Sequence, residues 1–179
     1  MSKDTKKDNL MRFLSLMFAM CLAGCASMND ALTPTVSVDI DNFDGRVIVT
    51  QPPVSSSSSL SEGWHTLGFQ WQSAAPKKVY LEVGKSGIVN IEGVEFNVDG
   101  EFIRDIPTAS SLTNYGDWST RRFVIPISQF KKLASAQDVK MKVMTIDSYS
   151  VSSFGVSVSG AVVNTKFAPF MTEVEKAAK

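Results

Sequence analysis

Apolar residues recur at every second position over most of this chain, and that period leaves little room for anything but strands. Leu67, Phe69 and Trp71 share one face of a segment with Thr66, Gln70 and Gln72 on the other, and Val79, Leu81 and Val83 repeat the scheme against Tyr80 and Glu82. Successive side chains on a strand point to opposite faces, so each segment presents one apolar and one polar side. Val36, Val38 and Ile40 alternate with Ser37, Asp39 and Asp41, and a turn at Asn42 to Gly45 leads into Val47, Ile48 and Val49, which predicts a hairpin. Val89 and Ile91, then Val94, Phe96 and Val98, an Asp99-Gly100 turn, and Phe102 to Ile106 before Pro107 continue the series. Phe123, Ile125 and Ile127, then Val139, Met141 and Val143, then segments around Tyr149 to Val151 and Phe154 to Val163, complete it. Short strands separated by turn residues predict a mainly β fold, an antiparallel β-sandwich or a partly closed barrel.

The interruptions are equally specific. Pro52, Pro53 and five serines from Ser55 predict a loop, and Lys85, Ser86 and Gly87 predict a turn. Two helices break the β pattern. Ser128 to Ala136 reads as a short helix with Ser128 as N-cap and Phe130 and Leu133 facing inward. Pro169 opens a C-terminal helix whose stripe of Phe170, Met171 and Val174, extended to Ala177 or Ala178, is suited to docking. The succession of strand, short helix, strand and closing helix loosely resembles that of small uncharacterised bacterial envelope domains, a likeness that implies no activity.

The N-terminus has a different character. Lys3, Lys6, Lys7 and Arg12 outweigh Asp4 and Asp8, an apolar run starts at Phe13, and small residues follow, the order of a secretory signal. The run is shorter than the roughly 20 residues a membrane-spanning helix needs, so a retained transmembrane anchor is the weaker reading. Leu22, Ala23, Gly24 and Cys25 resemble the lipobox of bacterial lipoproteins. That resemblance implies cleavage before Cys25, a diacylglycerol on its thiol and acylation of its amine; two or three chains on one residue hold a protein firmly to a bilayer. Ala26, where a retention signal would place Asp, implies the outer membrane, with the domain facing the periplasm. Met11 followed by Arg12 offers a second translation start beside Met1. The organisation expected is a signal peptide over 1–24, a lipidated tether over 25–34 and a single β-rich domain over 35–179. The other cysteine, Cys21, falls in the leader, so no disulfide is expected. Without the leader 14 basic residues face 16 acidic ones, which gives no electrostatic footprint for nucleic acid.

Candidate sites are few. His65, the lone histidine, sits at the start of a predicted strand; with a nearby carboxylate it could serve a small periplasmic hydrolase, whereas an edge or core residue is the plainer reading. No serine lies in a glycine elbow. Asp39, Asp41, Asn42, Asp44 and Gly45 are oxygen-rich, yet Phe43 and Thr50 stand where a calcium loop needs ligands, and a hairpin turn explains the same residues. Glu92 with Glu95, and Asp99 with Glu101, flank turns, where solvated charge is the default over a glycosidase pair. Tyr115, Trp118, Arg121 and Arg122, in and just after a polar loop over Ser110 to Thr120, are the candidate recognition surface; the alternative is that Trp118 plugs the end of the sandwich. The expectation is a non-enzymatic binding or envelope-interaction module, with a hydrolase or a structural and assembly lipoprotein as the alternatives. Its partners would be the membrane through the lipid and an envelope protein or glycan, with no metal and no cofactor.

Overall fold

The alternation of the sequence is realised as nine strands and two helices in a computed structural model that describes residues 34–56, 61–154 and 166–179. In chain order they are β1 Ser37–Ile40, β2 Val47–Ser55, β3 His65–Gln72, β4 Lys78–Ser86, β5 Ile91–Val98, β6 Glu101–Ile103, β7 Trp118–Pro126, α1 Ile127–Ser135, β8 Val139–Thr145, β9 Tyr149–Ser153 and α2 Ala168–Ala177. Every pairing is antiparallel. One sheet has five strands in the order β1-β2-β3-β4-β7 and the other four in the order β6-β5-β8-β9. Their apolar faces share one core, and no pairing joins the two ladders among the described residues, so the architecture is a sandwich and the partly closed barrel is not formed. Thr35 to Lys179 pack as one unit.

The core follows the period of two. Leu67, Phe69 and Trp71 of β3 face Val94, Phe96 and Val98 of β5 and Val139, Met141 and Val143 of β8, all buried. At one end α1 and α2 close the gap between the sheets. Phe69 is the hub there, with ring centroids 4.8 Å from Phe130, 4.8 Å from Phe167 and 5.5 Å from Phe170. The first two are edge-on, the arrangement favoured by the ring quadrupoles. The stripe read in the sequence does dock: Phe170, Met171 and Val174 are all buried. The Asp99-Gly100 turn forms as expected, with φ of 51° and 92°, the double positive value that a two-residue hairpin matched to strand twist requires.

Several boundaries differ from expectation. β2 does not stop at Pro52 but runs through both prolines to Ser55, because a bulge between Gln51 and Val54 takes them out of the ladder with β3 and β1 ends its pairing at Thr50. Proline is tolerated in a strand where no partner asks for its missing N–H. β1 pairs as a hairpin, but Val38 and Ile40 are exposed, since among the described residues this four-residue edge strand has no layer packed over it. Lys85 and Ser86 stay in β4 and the chain turns at Gly87, β6 ends at Ile103, and Trp118 to Thr120 belong to β7 and not to the loop. α1 begins at Ile127 with Pro126 at the N-cap and no side-chain cap bond, so Ser128 is not its cap. The β segment expected from Phe154 to Val163 lies outside the described residues after Phe154.

Candidate functional site

The end of the sandwich away from the helices has a polar interior. His65, Lys85 and Ser119 continue the inward faces of β3, β4 and β7, and Ser150 and Ser152 continue that of β9. His65 is 0% exposed and Ser150 5%. The His65 Nε2 lies 2.7 Å from Ser150 Oγ, and Lys85 Nζ donates to the same oxygen at 2.8 Å and lies 3.4 Å from Nε2. An ammonium only donates, so Nε2 carries the lone pair, accepts from the Ser150 hydroxyl, and leaves the imidazole proton on Nδ1, which has no partner among the described residues. Burial, and after it the Lys85 ammonium, pulls the His65 pKa down to about 4 against an upward pull from Glu62. Burial also lowers that of Lys85, opposed by Glu62. Glu62 closes the group: its carbonyl accepts from Lys85 at 2.7 Å and its carboxylate from the Val151 N–H at 2.8 Å.

A hydroxyl between an amine and an imidazole has the composition of an activated nucleophile. Here it lacks access, and the carboxylate expected beside His65 holds the β9 backbone instead of the ring. What the group does is fasten β9 of one sheet to β3 and β4 of the other. Ser150 and Glu62 carried no signal in the sequence, and Lys85, expected in a turn, instead falls in step with Val79, Leu81 and Val83, a cation on the inward face of β4.

The outward face of the same end is aromatic. Ser86 pairs with Trp118 and its N–H donates to the carbonyl of Trp64, the residue before β3, at 2.9 Å, so Trp64, Ser86 and Trp118 form one row. This row alternates with the inward-facing His65, Lys85 and Ser119, and both indoles face solvent, Trp64 59% exposed and Trp118 38%. Two strand spacings, about 10 Å, separate their backbone positions, with a small serine between. Trp118 therefore does not plug the end of the sandwich, and Trp64 is the partner the sequence reading missed.

The four residues expected to form a recognition surface divide. Arg121 turns inward and donates to the Ile91 carbonyl at 2.7 Å, tying β7 to β5. Arg122 turns outward and pairs with Glu82 at 3.4 Å. Tyr115 is 54% exposed, its hydroxyl bonded to Asn90 at 3.3 Å. Two clefts of about 200 and 230 Å3 share Glu82 and Arg122; one reaches Pro53, Gly68 and Tyr80, the other Leu112, Asn114 and Thr120. Wider clefts, about 570 Å3 between β1 and α2 and about 640 Å3 beside Lys78 and Arg104, hold none of these residues.

The acidic candidates are engaged elsewhere. Asp41 accepts from the Phe43 N–H and pairs with Arg46 at 2.8 Å, and those contacts lower its pKa; Asp44 also pairs with Arg46, at 3.4 Å. The oxygen-rich turn is thus a hairpin organised by an arginine. Glu95 pairs with Lys142, Glu101 with Lys132, and Asp99 accepts from the Gln137 and Asp138 N–H groups. Among the described residues no three His, Cys, Asp or Glu side chains converge as a metal site. Cys25 lies outside the described residues. No protein-family model matches this chain, and no curated protein and no solved structure matches it.

Proposed function

We propose that this chain is an envelope lipoprotein, anchored through Cys25 on the periplasmic side of the outer membrane, whose β domain is a non-enzymatic binding module. The observation that carries the binding reading is the Trp64–Ser86–Trp118 row: two indoles held in solvent, one at the entry to β3 and one at the start of β7. Large aromatic side chains that remain exposed on a rigid scaffold are the usual anchors of recognition. The hydrolase reading loses support because the histidine and the serine beside it are buried. The anchor rests on the leader and the four residues ending at Cys25, with Ala26 favouring the outer membrane.

Two measurements test the reading. Cells fed a labelled fatty acid should incorporate it into the native chain and not into Cys25→Ser; label retained by the variant would remove the anchor. Hydroxyl-radical footprinting of intact envelopes against purified protein should show Trp64 and Trp118 protected in the envelope while Phe43, exposed at the β1–β2 turn, reacts equally in both. Equal reactivity of the two tryptophans would show that nothing covers this face.

A further inference from the structure

We infer that the ligand of this face is an extended, uncharged oligosaccharide lying across β3, β4 and β7 between Trp64 and Trp118, an assignment that rests on the binding-module reading above. Below the aromatic row the next outward row pairs Thr66 with Gly84 and Gly84 with Thr120. The Thr66 hydroxyl lies over the Gly84 backbone, where a Cβ would collide with it, so this row presents hydroxyls one step below the indoles. The third row is Gly68, Glu82 and Arg122, flanked by Pro53 on one side and Asn114 on the other. The surface is a sheet face with two exposed indoles at its head and hydroxyl, amide and paired ionic groups in the rows below.

Charge selects among the ligands. Arg122 and Glu82 neutralise one another at 3.4 Å, and Thr66, Thr120 and Asn114 are neutral. A nucleic acid or polyanion needs unpaired cations, which this face does not offer among the described residues. A membrane surface needs a broad apolar face with basic residues around it; here Ser86 divides the two indoles and polar groups follow at once. A peptide added as a strand needs a free sheet edge, and this is a sheet face. The β7 edge is occupied besides, with Ala109 and Asn114 N–H groups bonded to the Arg122 and Thr120 carbonyls. Sugar rings present apolar C–H faces and hydroxyl edges together, the complement of indoles standing beside hydroxyl, amide and paired ionic groups. The backbone positions that carry the indoles are about 10 Å apart, a span on the scale of two rings of a single chain.

The test uses the lipidated full chain in detergent, titrated with cellohexaose, chitohexaose, xylohexaose and maltohexaose by calorimetry and tryptophan fluorescence. At least one should bind at millimolar concentration or below. Trp64→Ala and Trp118→Ala should each weaken it about tenfold or more, while Phe43→Ala at the opposite end leaves it unchanged. Trp64→Phe and Trp118→Phe retain a stacking ring and should keep most of the affinity, which guards against a variant that merely misfolds. Failure of all four sugars, or alanine variants that bind like the native chain, overturns the assignment. A phosphatidylethanolamine and phosphatidylglycerol vesicle is the second arm: tryptophan-dependent retention on vesicles without sugar binding also overturns it, while the footprint at Trp64 and Trp118 would still stand for a binding face.

Discussion

A chain ended at Ala168 is expected to show no cooperative urea transition. The truncation removes Phe170, Met171 and Val174 from the core, three side chains worth together about 5–9 kcal/mol when fully buried. A domain of this size has about 5–15 kcal/mol of net stability, so the loss rivals the whole. The damage would not stay local. Phe69, the hub of the aromatic cluster, would lose one of its three ring neighbours, and Phe130 its edge-on partner at 5.1 Å, opening both to water between β3 and α1. Phe170→Ala in the full chain is the milder version and should cost about 3–5 kcal/mol. Urea unfolding followed by the fluorescence of buried Trp71 measures both. A truncated chain with the native midpoint would make α2 a free tail and contradict its docking.

Acid should destabilise the domain well before its carboxylates are protonated. His65 titrates at about 4 in the fold against 6.5 when unperturbed, so the folded state holds it neutral and the unfolded chain binds the proton first. The sign follows: this contribution is complete above about pH 6.5 and is lost as the pH falls toward 4. At about 1.4 kcal/mol per pKa unit the loss reaches roughly 3 kcal/mol. The cause is mainly burial, with Lys85 adding to it and Glu62 opposing it, so the charges facing the imidazole do not reverse the direction. His65 is the only histidine, which makes its ring resonances unambiguous in a proton NMR titration. The native chain should lose stability between pH 7 and 4.5 and His65→Gln should lose markedly less. Parallel slopes in the two proteins, or an imidazole titrating near 6.5, would contradict a buried neutral ring.

Much of the fold was legible because its signal is local. The backbone enforces the period of two, so Val79, Leu81 and Val83, or Val139, Met141 and Val143, announce both a strand and its buried face without reference to any other part of the chain. The closing helix was legible for the same reason, since Pro169 and the stripe behind it lie within three turns. Legibility failed where a neighbour distant in sequence sets the outcome. Val38 and Ile40 have the alternation of a core strand but lie on an edge strand and are exposed among the described residues. Pro52 and Pro53 read as a break until the bulge against β3 supplies a place for residues without an N–H.

The two polar faces mark the same boundary. The sequence put Lys85 in a turn, Trp118 in a loop and Arg121 with Arg122 on one surface; only the strand limits of the fold set His65, Lys85 and Arg121 on inward positions and Trp118 and Arg122 on outward ones. The sequence could not say that Ser150, 85 positions from His65, would stand opposite it, or that Trp64 and Trp118 would fall in one row with a serine between. Parity along a strand is a property of consecutive peptide units, whereas the choice of which strand lies alongside or across is made by the packing of the whole core. The alternation therefore identified a β-rich chain and the faces of its strands, and the assembled sandwich turned a histidine into a fastening between sheets and two separate tryptophans into one surface.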